Sequence, residues 1–309
     1  MDSVYTVHRD TYLSADAKHT IVYYVYIPKN REPRAIVQIS HGMCEYIGRY
    51  EPFAAFLCEK GYVVAGNDHV GHGASAANEA DLGFTSGAEN LVDDVHMLTE
   101  RLKNEYRGLP LVLLGHSMGS FVARRYLEKY PGAADAAIIS GTGGPDSPTG
   151  FGKLLTKTMM LFKGERYRSE LVKSIAFMGY NKHFEAENCK DAWISRDREI
   201  VERYGKDPLC QFTFTLKGYY DLFDLLGKVS DKAWAGNLKK DLPILMISGE
   251  DDPVGAYGVG VRKIYDRLTR AQMTDVSLRL YAGARHEMLN ETNRVKVFAD
   301  IAAWLEQKI

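Results

Sequence analysis

The nine residues Leu111-Val112-Leu113-Leu114-Gly115-His116-Ser117-Met118-Gly119 join a short apolar run directly to a Gly-X-Ser-X-Gly pentapeptide. The apolar run predicts a buried strand, and the residues from Met118 to Tyr130 have the apolar spacing of a helix that ends before Pro131. A serine between such a strand and such a helix lies on a tight turn that exposes its hydroxyl. Ser117 is therefore the candidate nucleophile. The alternative is an ordinary glycine-rich turn.

Strands and helices alternate on both sides of this turn. Buried strands are predicted at 34–40, 62–68 and 136–140, helices at 50–60 and 90–106, and two further strands before residue 28. This alternation is typical of βαβ units, so it predicts an α/β fold with a mostly parallel sheet and helices on both faces.

The alternation stops between residues 143 and 241, where no buried strand is predicted and aromatic residues and helical patterns prevail. Afterwards a strand at 243–248, a helix at 259–268, a strand at 277–281 and a helix at 294–307 resume the series. We therefore expect a core domain of residues 1–144 and 239–309. A helical cap, residues 145–238, is inserted into it, an unusually long connection between strands.

A serine nucleophile needs a base and a carboxylate that orients the base, and in this fold the chain order is serine, acid, histidine. Asp252 follows the predicted strand 243–248 in a Gly-x-x-Asp turn, and it is the favoured acid. Asp251 and Glu250 remain alternatives. His286 follows the predicted strand 277–281 and is the expected base, although a histidine in a surface loop is the default interpretation.

The negative charge that develops during acyl transfer needs two backbone N–H donors. One is expected from Met118, directly after the nucleophile. The other is expected from Met43, in the loop after the third predicted strand, where Gly42 permits a close backbone approach. These two groups form the predicted oxyanion hole.

Two further histidines, His69 and His72, stand next to Asp68 and superficially resemble metal ligands. No additional Cys/His cluster supports a metal, so a structural loop is expected and no metal site is predicted. His41 and His116 flank the active site and are expected to bind local backbone or neighbouring polar groups.

The composition of the 309 residues excludes several classes of protein. Lys and Arg total 39 and Asp and Glu total 40, a net charge of −1, which argues against a nucleic-acid partner. The four cysteines are widely spaced, which argues against a disulfide framework and favours reduced thiols in the cytoplasm. The predicted chemistry needs no cofactor, and the sequence leaves the oligomeric state open.

Three blocks of this sequence resemble those of monoacylglycerol lipases and of the lysophospholipase-like bacterial hydrolases in the serine aminopeptidase S33 group. The blocks are His41-Gly42-Met43-Cys44-Glu45-Tyr46-Ile47-Gly48-Arg49-Tyr50, Asp68-His69-Val70-Gly71-His72-Gly73-Ala74-Ser75 and Gly115-His116-Ser117-Met118-Gly119. The resemblance implies an α/β-hydrolase fold with a helical cap, and an enzyme that cleaves carboxylic esters such as monoacylglycerols or lysophospholipids. By the family pattern Ser117, Asp252 and His286 form the triad, and Met43 and Met118 form the oxyanion hole.

Substrate contacts are expected from Gly42, Glu45 and His116. Glu45 and Arg49 are candidates for binding a polar head group, and a structural ion pair that steadies the oxyanion loop is the alternative. In the cap, residues 152–162 mix lysines with Leu, Met and Phe. This segment is expected either to pack on the core or to make transient contact with lipid.

Two other functions remain open at this stage. One is a peptidase that acts on N-terminal residues, for which an acidic site in the cap would bind the free amine. Glu185, Glu187 and Asp191 are the candidates for that site. The other is a non-catalytic binding protein, which typically lacks a triad member.

Overall fold

The computed structural model describes residues 3–146 and 148–309, and its centre is one eight-stranded sheet. The strands are β1 (Tyr5–Leu13), β2 (Thr20–Pro28), β3 (Ala35–Ser40), β4 (Tyr62–Asn67), β5 (Leu111–His116), β6 (Ala136–Ser140), β7 (Ile244–Gly249) and β8 (Val276–Tyr281). They lie in the order β1-β2-β4-β3-β5-β6-β7-β8. Strands β3 to β7 are buried along their whole length, because helices cover their apolar residues on both faces.

The strands from β4 to β8 in the sheet order pair in parallel, whereas β1–β2 and β2–β4 pair antiparallel. The predicted α/β architecture with a mostly parallel sheet is therefore confirmed. Ser40 pairs with Gly115, and His116 pairs with Ser140. The carboxyl ends of β3, β5 and β6 consequently meet at one edge of the sheet, which is where ligands bind in open α/β sheets.

Helices cover both faces of the sheet. They are α1 (Glu51–Cys58), α2 (Ala88–Glu105), α3 (Met118–Lys129), α4 (Thr149–Lys163), α5 (Glu170–Ala176), α6 (Arg198–Lys206), α7 (Leu216–Val229), α8 (Val259–Arg270) and α9 (Arg294–Lys308). Apolar side chains of α1 and α9 form one core with the sheet. Those of α2, α3 and α8 form a second core on the other face.

The chain between β6 and β7 is helical, as the sequence predicts. Within the described residues of 141–243 there is no strand, only an isolated bridge between Arg168 and Thr215. Helix α4 packs on α7. Val172 of α5 and Tyr219 of α7 join a small apolar cluster with Cys44 and Met118. The inserted helices therefore lie directly over the edge of the sheet where β3 and β5 end.

Arg124 of α3 joins the start of this inserted segment to the end of α7. Its fully buried guanidinium donates to Thr142 Oγ1 at 3.3 Å and to the Gly143 carbonyl at 3.4 Å, where the segment begins. It also donates to the carbonyl of Val229, the last residue of α7. The start of the inserted segment and the end of α7 are thus held side by side on α3.

Two further features concern the cysteines and the helices. Cys44, Cys58, Cys189 and Cys210 all carry free thiols. In the part of the chain that the structure describes, none of the helices combines the length and apolar character needed to span a membrane.

Candidate active site

Ser117 lies on the sharp turn that the sequence predicts. Strand β5 ends at His116 and helix α3 begins at Met118, so a single residue connects them. The backbone of Ser117 has φ 52° and ψ −121°, a conformation that is strained for a residue with a side chain. Its N–H donates to the Ser140 carbonyl at 3.0 Å, which ties the turn to the end of β6. The side chain is half-buried at the sheet edge.

Two glycines allow the loop after β3, which carries Met43, to contact the turn at Ser117. A Cβ at Gly119 would overlap the carbonyl oxygens of Ser40 and His41, so helix α3 approaches the end of β3 only because this residue is glycine. A Cβ at Gly42 would lie 2.9 Å from the Ser117 Cβ and 2.6 Å from Glu45 Oε1. Gly42 is therefore directly beside the candidate nucleophile.

His286 and Asp252 form a buried pair. The Nδ1 atom of His286 lies 3.0 Å from each carboxylate oxygen of Asp252, and both side chains are almost completely inaccessible to solvent. Asp252 also accepts from the Val254 N–H at 2.9 Å. Burial on its own would lower the pKa of His286, but the negative charges of Asp252, Glu287 and Glu45 outweigh it and raise the pKa. An Nδ1–H held by Asp252 leaves Nε2 free to accept a proton.

The structure distinguishes the three candidate acids by their surroundings. Asp252 is fully buried against His286, whereas Asp251 and Glu250 are exposed and contact His286 through no hydrogen bond or ion pair between described residues. The Asp251 N–H donates to the Ala284 carbonyl at 2.9 Å, which turns its side chain to the surface. Asp252 is thus the residue that can orient His286.

Ser117 and His286 line the same cavity. Within residues 3–146 and 148–309, the Ser117 hydroxyl makes no hydrogen bond, so it is not yet paired with the imidazole. Such contacts often tighten only when substrate binds. The ring of His116 lies 4.8 Å from that of His286, centroid to centroid. Burial and the charge of His286 lower the pKa of His116 to about 3, so His116 is neutral.

The two predicted oxyanion donors are both available. Met118 is the first residue of α3, where backbone N–H groups have no partner inside the helix. The N–H of Gly42 is occupied by the Glu45 carboxylate, whereas the next N–H, that of Met43, has no acceptor among the described residues. Both methionines also line the cavity with apolar side chains. The arrangement leaves two backbone donors beside Ser117.

Three buried histidines support the loop after β3. His41 Nδ1 lies 2.8 Å from the Gly42 carbonyl, and its Nε2 accepts from the His69 N–H at 3.0 Å. His72 Nδ1 lies 3.1 Å from the Val70 carbonyl. Burial lowers the pKa of His69 to about 3 and that of His72 to about 4, so both are neutral. No metal-holding group of His, Cys, Asp and Glu exists in the described part of the chain.

Glu45, Arg49 and Glu287 form a buried ion cluster at the cavity wall. Arg49 binds Glu287 through two hydrogen bonds of 2.7 Å and Glu45 through one of 3.1 Å. Glu45 also accepts from the Gly42 N–H and from the Tyr50 hydroxyl. Burial raises the pKa of Glu45, and the Arg49 charge lowers that of Glu287. Arg49 thus pairs with both carboxylates, and Glu45 binds the backbone of the loop that follows β3.

The cavity has a volume of about 260 Å³ and mainly apolar walls. Of the residues predicted to contact substrate, Glu45 and His116 line the cavity. Gly42 does not line it, and its N–H donates to the Glu45 carboxylate within the loop after β3. Glu185, Glu187 and Asp191, the candidates for binding a free amine, are absent from its lining. Glu187 instead forms an ion pair with Arg285.

The structure adds residues that the sequence did not single out. Glu287 and Trp193 both line the cavity, and the Trp193 ring lies 5.0 Å from that of His286, centroid to centroid. Glu287 is adjacent to His286 in the chain, so the sequence could have indicated that it lies near the active site. Trp193 lies in the inserted segment, where no such indication exists.

The chain is similar in sequence to several known proteins. The family described as serine aminopeptidase S33 (Hydrolase_4) matches residues 31–293. A monoacylglycerol lipase from Mycolicibacterium smegmatis is 29% identical over 285 residues, which are 92% of each chain. A human monoglyceride lipase is 29% identical over 286 residues, 89% of this chain and 84% of that protein.

The chain is also similar to the solved structures of an esterase and a lipase. A thermostable carboxyl esterase from Bacillus coagulans in complex with glycerol superimposes with a TM-score of 0.90 and 29% identity, covering 98% of this chain and 99% of that one. A lipase in its open form also reaches a TM-score of 0.90, at 26% identity, with the same coverage.

Proposed function

This chain belongs to the serine aminopeptidase S33 family and is a carboxylic ester hydrolase, and from that premise we propose that Ser117, His286 and Asp252 perform the reaction. The observation that carries the proposal is the meeting of three features at one cavity. These are a strained serine turn, a buried histidine–aspartate pair and two unpaired backbone donors. Together they are the parts that acyl transfer requires.

In the first half of the proposed reaction, the Ser117 oxygen attacks the ester carbonyl carbon while His286 Nε2 takes the hydroxyl proton. Asp252 holds the Nδ1–H and stabilises the imidazolium that forms. The N–H groups of Met43 and Met118 donate to the carbonyl oxygen as it becomes negative. The carbon–oxygen bond to the alcohol then breaks, and His286 gives its proton to the leaving alcohol.

In the second half, water attacks the acyl group on Ser117. His286 accepts a proton from this water, the bond between the acyl carbon and the serine oxygen breaks, and His286 gives the proton to that oxygen as the carboxylic acid leaves. Every proton is carried by His286, so this chemistry needs no cofactor.

We propose that the substrates are monoacylglycerols, lysophospholipids or similar esters with a small or medium acyl chain. The apolar cavity walls, which include Met43, Met118 and Phe121, suit an acyl chain. The peptidase alternative is disfavoured, because Glu185, Glu187 and Asp191 are absent from the lining of the cavity beside Ser117, although Asp191 lines an adjoining one.

Further proposals concern the surroundings of the site. We propose that residues 145–238 form a cap that controls access to the site. We also propose that the protein, whose cysteines carry free thiols, is located in the cytoplasm and has no nucleic-acid partner. We also propose transient lipid contact through α4. One face of α4 packs on α7, while Phe151, Leu154, Leu161 and Phe162 are exposed.

Replacing the nucleophile tests the function directly. Ser117→Ala should abolish turnover of p-nitrophenyl esters and labelling by a fluorophosphonate, while circular dichroism stays unchanged because only one oxygen is lost. His286→Ala should lose nearly as much activity, since the two residues act as a unit. Full activity of Ser117→Ala would refute the mechanism. Faster turnover of aminoacyl-naphthylamides than of esters would favour the peptidase.

A further inference from the structure

Arg285, the residue before His286, is buried and contacts the inserted segment through its whole guanidinium group. Its Nη1 atom donates to the Ala192 carbonyl at 2.6 Å and to the Ser195 carbonyl at 3.3 Å. Both terminal nitrogens bind the Glu187 carboxylate. The guanidinium carbon lies 4.0 Å from the centre of the Phe184 ring. All these partners lie within residues 184–195, which we name the docking segment.

The backbone continues the attachment past Arg285. The His286 N–H donates to the Trp193 carbonyl at 3.4 Å, and the Glu287 N–H donates to the Ile194 carbonyl at 2.8 Å. The Trp193 ring lies against the His286 ring and also lines the cavity. The docking segment is therefore a wall of the active site and a direct neighbour of the proposed base.

A second anchor lies just beyond these contacts. The fully buried Glu291 accepts from the backbone N–H of Arg285 and from that of Arg196, each at 3.0 Å. The Ser195 hydroxyl donates to the Asn290 carbonyl at 2.9 Å. The docking segment is thus fixed to residues 285–291 at several points, whereas α4 packs mainly on α7 and exposes apolar side chains.

We propose that Arg285 is a positioning residue for His286, and that it acts by holding the docking segment so that Trp193 fixes the imidazole. The inference rests on the proposed function of His286. Asp252 holds the imidazole at Nδ1, and Trp193 restrains the ring from the side of the inserted helices. A base must be held close to its productive geometry, because small displacements cost large factors in rate.

The chemistry at this position calls for arginine. One guanidinium supplies donors to a carboxylate and to two carbonyls at once, in a fixed planar arrangement. A lysine ammonium at the same place is a point charge on a flexible stem and cannot reproduce the paired contact with Glu187. Arg285→Lys is therefore expected to keep the charge and lose part of the positioning.

The test measures kcat, KM and melting temperature with p-nitrophenyl acetate. Arg285→Ala should lower kcat by about 10–100-fold, as is common when a group that orients a reacting residue is removed. KM should change little, because Arg285 does not line the cavity. Arg285→Lys and Glu187→Gln should give smaller losses of kcat in the same direction. Arg294→Ala is the matched control. Arg294 also pairs with the inserted segment, at Asp197, but lies away from the base, so kcat should stay unchanged.

A double-mutant cycle separates positioning from a merely structural role. If Arg285 acts through Trp193, Arg285→Ala should cost far less in kcat on a Trp193→Ala background than in the unmodified protein. A lower melting temperature with unchanged kcat, or additive losses in the cycle, would overturn the inference. If Arg285→Ala does not fold, unchanged kcat in both Arg285→Lys and Glu187→Gln overturns it. Full activity of Ser117→Ala would instead refute the proposed function itself.

Discussion

At the scale of single residues, the charge around His286 has a measurable effect on the proposed reaction. Burial lowers the pKa of His286, but Asp252, Glu287 and Glu45 together raise it above the ordinary value of 6.5. His286 must be neutral to accept the Ser117 proton, so kcat/KM falls as the pH drops through this pKa. We expect the acid limb of kcat/KM for p-nitrophenyl acetate to have its midpoint above pH 6.5.

Asp252→Asn is the matching variant for this prediction. It removes one of the negative charges and presents an amide to Nδ1, which favours the wrong tautomer of His286, so kcat should fall on the order of 10³–10⁴-fold. Asp251→Asn, one residue earlier and exposed, should retain the activity and the midpoint of the unmodified protein. Equal losses in the two variants, or a midpoint below pH 6.5 in the unmodified protein, would contradict the assignment.

The sequence identified Ser117, Asp252 and His286 as candidates because each follows a strand and because their order fits the fold. It favoured Asp252 but left Asp251 and Glu250 open, since that choice depends on which side chain the turn after β7 directs inward. Backbone contacts such as the one from Asp251 to Ala284 make that choice, and they exist only in the folded chain. Arg285 and Trp193 gave no signal, because their contacts join distant parts of the sequence.

At the scale of elements, the approach of α3 to β3 brings the two oxyanion donors together. Gly119→Ala should force the start of α3 away from the Ser40 and His41 carbonyls. We expect it to lower the free energy of unfolding by about 1–3 kcal/mol, the usual cost of overpacking, and to reduce kcat as Met118 moves. Denaturant unfolding and ester hydrolysis measure the two effects.

Gly150→Ala is the matched control for this substitution. Gly150 lies in α4, is exposed, and has no heavy atom near the position of an added Cβ. Alanine in a helix is favoured over glycine by roughly 0.5–1 kcal/mol, so this variant should be as stable as the original or more stable. A Gly119→Ala protein with unchanged stability and kcat would show that the close approach is not required.

Hydrophobic patterns predicted the elements of the core well, because strands buried on both faces read as continuous apolar runs. The antiparallel pairings of β1 with β2 and of β2 with β4 were not predicted. Strand order depends on contacts between residues far apart in the chain, and periodicity along one segment carries no information about them.

At the scale of the whole molecule, α4 presents an apolar surface outside the core. Leu161 is 79% exposed and Phe162 is 81% exposed. Burying one such side chain is worth about 1.5–3 kcal/mol. The double variant Leu161→Glu/Phe162→Glu should therefore lower activity on a monoacylglycerol in phosphatidylglycerol vesicles by about tenfold or more. Its activity on soluble p-nitrophenyl acetate should remain unchanged.

Val295→Glu provides the control for that experiment. Val295 is similarly exposed but belongs to α9 of the core and not to α4. Its activity on vesicles should match that of the unmodified protein. If the α4 variant is as active on vesicles as the unmodified protein, this result would argue against lipid contact through α4.

Arg124 binds the start of the inserted segment and the end of α7, and this has a consequence for how such enzymes diversify. The core presents two attachment points side by side, so a different set of helices can be grafted there without changing the path of any strand. Exchanging α4 and α5 between relatives would then alter which esters enter. A chimera that also replaced residues 184–195 would need residues in the new segment that bind Arg285. Residues 184–195 and the core residue Arg285 would therefore have to be exchanged together.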